Sequence, residues 1–365
     1  MPRGSQSVAR TISVAMATYN GAKYLMEQLQ SIALQSRQPT ELVVSDDASS
    51  DATPQVLAEF SRSAPFPVVV HSHSSNVGYA RNFERALRSC VGDIVLFADQ
   101  DDVWLPRKIE RVAATMDANP GAHLVIHDRL FVDANLQDRG VTSLSLLRSR
   151  RLPVRMYVAG SATAVSRPLA NLAVPLPELS TGAVGHDEWV HHLARTLNVA
   201  VLVQEPLMLY RRHGENYSRS AHEPFRSALR SWFAEFRRFA SSLNAARTGS
   251  RQAKIVAQLE LQHHLHARLQ RAPEGLFGQD AQAAARRARK VAASIEQRLE
   301  VMRSPWRLAR VVAADRVRRA GAYASTPNGV ATLLMDVLSV HSTSIPSQST
   351  WRHLDHEGSE PDAVR

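Results

Sequence analysis

The sequence predicts an α/β fold, a mixed but mostly parallel sheet with helices on both faces, followed by an α-helical C-terminal region. Three observations carry this. From residue 11 to about 130, short β-branched runs alternate with stretches of helical periodicity, the pattern of parallel strands joined by crossover helices. The residues just after each run are polar and acidic, as expected where such a sheet opens onto a ligand. Beyond Ala221 the β-branched runs give way to basic, helix-forming sequence.

The elements follow in order. Thr11–Ala17 reads as the first strand, since it is short and lacks the charged, cleavable context of a secretory signal. Glu41–Ser45, Val68–His71, Ile94–Ala98 and His123–His127 are the next strands, separated by helices over Tyr24–Leu34, Thr53–Phe60, Tyr79–Arg88 and Pro106–Ala118. Residues 140–220 read as α+β, with a turn centred on Gly160, a helix around His186–Thr196 and a strand near Val199–Val203. Segments 226–243, 251–271, 279–301 and 305–320 predict helices, Ser304-Pro305 supplying a helix start. From about Val340 the apolar content is too low to pack. The expected organisation is an N-terminal arm over 1–10, an α/β domain over 11–220, a basic helical region over 221–339 and a disordered tail over 340–365.

Composition bounds the function. With 365 residues, 44% hydrophobic and 21% charged, the chain has material for a large core, which excludes collagen, coiled coil and wholesale disorder. The single cysteine, Cys90, excludes an intramolecular disulfide and a thiolate zinc site. No run reaches the roughly 18–20 apolar residues of a membrane span; the best, Gly329–Val340, is short and carries Asp336. The net charge of +10 is uneven: residues 1–220 hold 22 Lys and Arg against 21 Asp and Glu, and residues 221–365 hold 22 against 13. A basic surface suits phosphate-rich partners, and a GC-rich coding sequence explains the arginine excess equally well.

The strand ends carry the chemistry. They are Thr18-Tyr19-Asn20-Gly21, then Asp46-Asp47-Ala48-Ser49-Ser50-Asp51, then Asn76-Val77-Gly78, then Asp99-Gln100-Asp101-Asp102. The last is the strongest signal, because an apolar strand ends abruptly in three carboxylates around one amide. Like charges this close repel and raise one another's pKa unless a cation joins them. Mg²⁺ or Mn²⁺ is the natural resident, taking one or two carboxylates and completing its shell with water and phosphate, which suits a nucleoside diphosphate. Asp102, shortly before Pro106, also fits a solvated helix cap.

Taken together, Ile12-Ser13-Val14 leading to Thr18–Gly21, Val43-Val44-Ser45-Asp46-Asp47-Ala48-Ser49-Ser50-Asp51, Asn76-Val77-Gly78 and Asp99-Gln100-Asp101-Asp102-Val103-Trp104 resemble the inverting family 2 glycosyltransferases, in their rhamnosyltransferase-like branch. The resemblance covers roughly residues 10–220. It implies the GT-A fold with a Rossmann-like donor half, a UDP- or dTDP-sugar donor, a Mg²⁺ or Mn²⁺ ion, and a glycan or lipid-linked acceptor. It further implies a place in bacterial surface polysaccharide synthesis, in the cytoplasm or on the inner face of the plasma membrane. By that resemblance Tyr19 packs on the nucleotide base, Thr18 and Asn20 shape its loop, Asp47 accepts the base imide N–H beside Asp46, and Asn76 and Gly78 line the donor loop. Asp99 resembles the ribose or metal-shell aspartate and Asp101 the direct metal ligand. In Gly185-His186-Asp187-Glu188-Trp189, Asp187 matches the catalytic base, with Glu188 standing where the branch often has an aromatic. Tyr210-Arg211-Arg212-His213-Gly214-Glu215-Asn216 resembles a segment closing over the diphosphate, with Arg211 and Arg212 on phosphate and His213 adding a donor or metal contact. Gly160-Ser161-Ala162-Thr163 resembles the acceptor-side turn.

Other readings fit less well. A nucleotidyltransferase acting on sugar phosphates needs a Gly-rich basic phosphate loop, which Thr18–Lys23 is not, and no dehydrogenase G-x-G-x-x-G follows the first strand. A nucleic-acid-binding or scaffold protein gives the carboxylates at 99, 101 and 187 no work, so no nucleic acid partner is expected. Leu229, Trp232, Phe233, Phe236, Phe239 and Leu243 form an apolar stripe that suits peripheral contact with an anionic membrane or packing on the α/β domain. His263, His264 and His266 read as part of an exposed polar helix rather than a metal site.

Overall fold

The computed structural model describes residues 9–152, 157–214, 250–273, 275–277 and 281–303. The helices expected at 226–243 and 305–320, the aromatic stripe, Glu215, Asn216 and the tail lie outside the described residues. The chain divides into two compact units, Met1–Leu176 with Ala183–Tyr217 and Glu274–Gln279, and Pro177–Gly182 with Ser218–Pro273 and Asp280–Arg365.

The first unit is α/β. Strands β1 (Ile12–Thr18), β2 (Glu41–Asp46), β3 (Val68–Ser72) and β4 (Ile94–Ala98) alternate with helices α1 (Ala22–Ala33), α2 (Thr53–Ser63) and α3 (Tyr79–Ser89). They pair in parallel in the order β3-β2-β1-β4, with Val14 opposite both Leu42 and Leu96. β1, β2 and β4 are buried on both faces, hence their near-continuous apolar runs. β3 is the sheet edge and is largely exposed. These elements lie within a few residues of the positions that periodicity predicts.

The second half of the sheet departs further from the sequence reading. After β5 (Val103–Trp104) and α4 (Lys108–Ala118), the strand expected at His123–His127 runs as β6 (Leu124–Val132). β7 (Asp138–Thr142), α5 (Ser143–Ser149), β8 (Thr163–Ser166) and α6 (Arg167–Ala173) follow, then the two-residue strands β9 (Glu178–Leu179) and β10 (Gly182–Ala183) outside the large sheet. Thr142 caps α5 with a reciprocal capping box, and the Ser166 side chain caps α6. After α7 (His186–Leu197), the strand expected near Val199–Val203 continues as β11 (Ala200–Arg211). Its pairing with β6 shifts register around Pro206, whose missing N–H breaks the ladder and hides the strand's second half from a period-two reading. The full order is β3-β2-β1-β4-β8-β6-β11-β5, with β7 on β6. β8 runs antiparallel to both β4 and β6 and so joins the halves.

In the other unit, α8 (Ser250–Gln270) and α9 (Ala281–Arg303) pack as an antiparallel hairpin, Ile255, Val256 and Leu259 meeting Ala292, Ile295 and Leu299. The histidines are not on an exposed face: His266 is buried and hydrogen bonds through Nδ1 to Ala285 O, and His263 lies 3.4 Å from Glu296. His263 and His266 sit in the helix–helix interface, where Leu265 and Leu269 are also buried.

The base of α7 is fixed by Trp189, fully buried, whose Nε1 donates to Ala173 O at 2.8 Å. Trp189→Ala is expected to cost about 3–5 kcal/mol through the cavity and the orphaned carbonyl, read as a lowered urea midpoint at unchanged slope.

Candidate active site

The sheet order reverses at β1: the chain moves outward to β2 and β3, then returns to β4 on the other side. In open α/β sheets ligands bind outside the strand carboxyl ends at such a point. Here the ends of β1, β2 and β4 present Thr18–Gly21, Asp46–Asp51 and Asp99–Asp102.

The carboxylate oxygens of Asp99, Asp101 and Asp102 lie within 4.8 Å of one another. Asp102 is not a cap. It is fully buried, Oδ1 accepts from Arg211 N at 3.1 Å, and α4 starts six residues later, behind Arg107. Its Oδ2 has no partner among the described residues. Burial, then Asp101 and Asp99, hold the Asp102 carboxyl well above the usual range. Burial and the same crowding push Asp99 up to about 7, and Asp187 adds to the effect. Three clustered hard-oxygen groups with one buried oxygen unpaired fit a divalent ion of the Mg²⁺ or Mn²⁺ kind.

Two cations near this cluster escaped the sequence reading. Lys108 is fully buried, donates from Nζ to Ser161 O at 2.6 Å and stands 3.8 Å from the centre of the Trp104 ring. Burial lowers it to about 7, against the pull of Asp102 and Asp99. Arg129 is half-buried and feels the same two carboxylates.

The segment after β11 covers the cluster differently from expectation. Arg211 is 1% exposed. Its guanidinium donates to Asp101 O at 2.9 Å, to Ala134 O at 2.8 Å and to the Glu27 carboxylate, over the Tyr24 ring. This fork is spent on protein acceptors, so Arg211 holds the acidic loop. Arg212 is half-buried, reaching the Tyr210 hydroxyl at 3.5 Å. His213 Nε2 lies 2.8 Å from Asp101 Oδ2, and its ring packs 4.7 Å from Tyr24.

On the nucleotide side, Tyr19 is 48% exposed and so is not a core aromatic. Its backbone exchanges two hydrogen bonds with the Gln100 side chain, which lies so close to Gly21 that a Cβ there would stand 2.2 Å from Gln100 Oε1. Asn20 takes a left-handed φ of 48° and accepts from Ser50 N. Asp46 accepts from Thr18 Oγ1 and from Ser49 N and Oγ, and both Thr18 and Asp46 are buried. Asp47 is 1% exposed, and its oxygens accept from Val77 N and Gly78 N. Backbone N–H groups and hydroxyls thus engage Asp46 and Asp47, which hold the loops that flank Tyr19. Asn76 Oδ1 accepts from Gly78 N, and Gly78, at φ 85°, opens α3.

On the other side, Asp187 lies in the first turn of α7, half-buried, with Oδ1 accepting from Glu188 N. Glu188 is exposed and lies 3.8 Å from His192. His186 is stacked 3.8 Å from Phe83, with neither ring nitrogen partnered among the described residues, and its burial lowers its pKa. Gly160 lets the turn Gly160–Ala162 rest on this ring, since a Cβ there would lie 2.7 Å from His186 Nε2.

Residues 13–162 match the family model described as Glycosyl transferase family 2. The dTDP-rhamnosyl transferase RfbG of Shigella flexneri is 29% identical over 211 residues, 55% of this chain and 72% of that one. The uncharacterized protein Rv1520 of Mycobacterium tuberculosis is 24% identical over 218 residues, 58% of this chain and 61% of that one. The chain thus spans about three-fifths of the length of such mycobacterial relatives. The crystal structure of S. aureus TarS 1-349 superposes with a TM-score of 0.51 at 17% identity, covering 95% of this chain and 90% of that one, a likeness of GT-A fold.

The raised Asp99 carboxyl gives a pH signature. A carboxyl raised when folded contributes stability that is present below its ordinary 3.8 and is lost as pH rises through about 7. In EDTA, Asp99→Asn should therefore gain in melting temperature relative to the native chain as pH rises from 4 to about 7. A difference independent of pH would sink this account.

Proposed function

We propose that this chain, whose residues 13–162 match the family 2 glycosyltransferase model, transfers a sugar with inversion from a UDP- or dTDP-sugar to a glycan or lipid-linked acceptor. The observation that carries the reading is the acidic cluster at the switch point, with Asp187 close enough to act on Asp99. Tyr19 offers an exposed ring to a pyrimidine base, and the loops of Asn20, Asn76 and Gly78 frame it. Asp101 and Asp99 would hold Mg²⁺ or Mn²⁺, with Asp102 behind them and His213 orienting Asp101. Bound there, the ion would offset the charge of the leaving diphosphate, with Arg212, next to His213 in the chain, as a further cation for it.

Asp187 is the base. Its carboxylate takes the proton of an acceptor hydroxyl while that oxygen bonds to the anomeric carbon, and the bond to the donor's phosphate oxygen breaks with its electron pair leaving on the nucleoside diphosphate. Attack opposite the leaving group inverts the carbon and needs no covalent enzyme intermediate. Glu188 is less suited, being exposed and turned toward His192. The similarity to a dTDP-rhamnosyl transferase favours a deoxyhexose such as rhamnose, placed in surface polysaccharide synthesis. Among the described residues no helix is long and apolar enough to cross a membrane. Contact with a lipid-linked acceptor is read as a peripheral approach at the inner membrane face.

Two substitutions separate binding from chemistry. Asp101→Ala should abolish the Mn²⁺-dependent rise in melting temperature that UDP or dTDP gives the native chain. Asp187→Asn should keep that rise and lower transfer by roughly 10²–10⁴-fold. A fully active Asp187→Asn enzyme would move the base to another residue, and no metal-dependent nucleotide binding would overturn the donor site.

A further inference from the structure

Arg129, half-buried beside the acidic cluster, has an unspent hydrogen-bonding edge. Its Nε donates to Ser143 Oγ at 2.9 Å, and its guanidinium carbon lies 3.9 Å from the centre of the Tyr210 ring and 5.8 Å from that of Phe131. One hydrogen bond and a stacked face fix the plane of the group. Neither Nη1 nor Nη2 has an acceptor among the described residues. By contrast, all three guanidinium nitrogens of Arg211 donate. A planar cation held rigid with two adjacent N–H edges open is the geometry that binds a phosphate bidentately. A second cation is close by: the Arg212 guanidinium carbon lies 5.8 Å from the same Tyr210 ring. Tyr157 and Ser143 complete the polar wall, Tyr157 Oη donating to His127 O.

The position in the sheet indicates which phosphate. Tyr19 and Asn20 leave β1, and Asn76 leaves the β3 side, whereas Arg129 belongs to β6, across β4 and β8 from them. A donor that runs from the β1 side to the acidic cluster at the end of β4 would place its sugar beyond that cluster, which Arg129 approaches from β6. We infer that Arg129 forms a phosphate-binding subsite for the acceptor, separate from the donor diphosphate, and hence that the acceptor is a phosphate-bearing glycan or polyol rather than a neutral one. This rests on the glycosyltransferase reading above.

Glycerol 3-phosphate, with glycerol as the uncharged control, is the probe, and its effect on melting temperature is measured with and without saturating UDP and Mg²⁺. The native chain is expected to gain a further rise with glycerol 3-phosphate on top of UDP and Mg²⁺, and none with glycerol. Arg129→Gln should weaken glycerol 3-phosphate at least tenfold, a larger loss than any it causes in the affinity for UDP and Mg²⁺. Arg129→Lys, which keeps the charge and the stacked stem, should fold like the native chain and still bind the probe more weakly, having lost the bidentate edge. Three results would overturn the inference: no response to glycerol 3-phosphate, a response that UDP and Mg²⁺ abolish, or one that both variants retain. The second would assign Arg129 to the donor diphosphate, and the first would leave it as a counter-charge to the aspartates. Failure of UDP and Mg²⁺ to shift the native chain at all would instead count against the donor site itself.

Discussion

Three carboxylates at the end of one buried strand set the terms for everything around them. With oxygens within 4.8 Å, each ionised pair repels by about 3–4 kcal/mol at an effective dielectric near 20, and Asp102 adds the cost of full burial. No loop would hold this arrangement by itself. The fold supplies cations from three elements: Lys108 from α4, Arg129 from β6 and Arg211 from β11. Each of these has its own reason to stay. Lys108 is tied to the Ser161 carbonyl, Arg129 is stacked on Tyr210, and Arg211 bridges Glu27 to the acidic loop. A divalent ion held by Asp99 and Asp101 would relieve the repulsion further.

The same economy organises the nucleotide side. A parallel sheet leaves loop N–H groups unpaired at its carboxyl end, and unpaired buried donors are costly. Asp46 and Asp47 answer that need by accepting from Ser49, Val77 and Gly78. Gln100 does the equivalent between the β1 and β4 loops, accepting from Tyr19 N and donating to Tyr19 O. The result is a rigid frame that leaves the Tyr19 ring in solvent, so the base of the proposed donor would meet a surface already ordered.

How much of this the sequence carried depends on the range of the interaction. β1, β2 and β4 were legible because strands buried on both faces must be apolar throughout. The acidic strand end was legible because three carboxylates in four residues have few structural uses. The second half of β11 was not, since Pro206 and the register shift break its period. Nor were the roles of Asp47, Arg211, Lys108 and Arg129, whose side-chain hydrogen-bond partners lie 14 to 184 residues away among the contacts described. A sequence gives their charge but not which side of the strand they take, and side is what separates a ligand contact from a brace. Arg211 and Arg212 show the consequence. They are adjacent and chemically identical, yet strand alternation sends one into the core and leaves the other half-buried beside Tyr210.

The turn Gly160–Ala162 links the two halves of the proposed chemistry. β8 runs antiparallel between β4 and β6, which delivers this turn to the carboxyl end of β4. There the Ser161 carbonyl holds Lys108, the counter-charge of the aspartates, while Gly160 abuts His186, the residue before Asp187. Lys108 has no other oxygen acceptor among the described residues, so its ammonium stays near Asp102 and Asp99 only while the turn keeps its place. A side chain at Gly160 would push His186 outward and carry Asp187 with it. Charge compensation at the acidic cluster and the position of the base are thus set by one three-residue element, and a change there would disturb both at once even though none of its atoms need touch the donor.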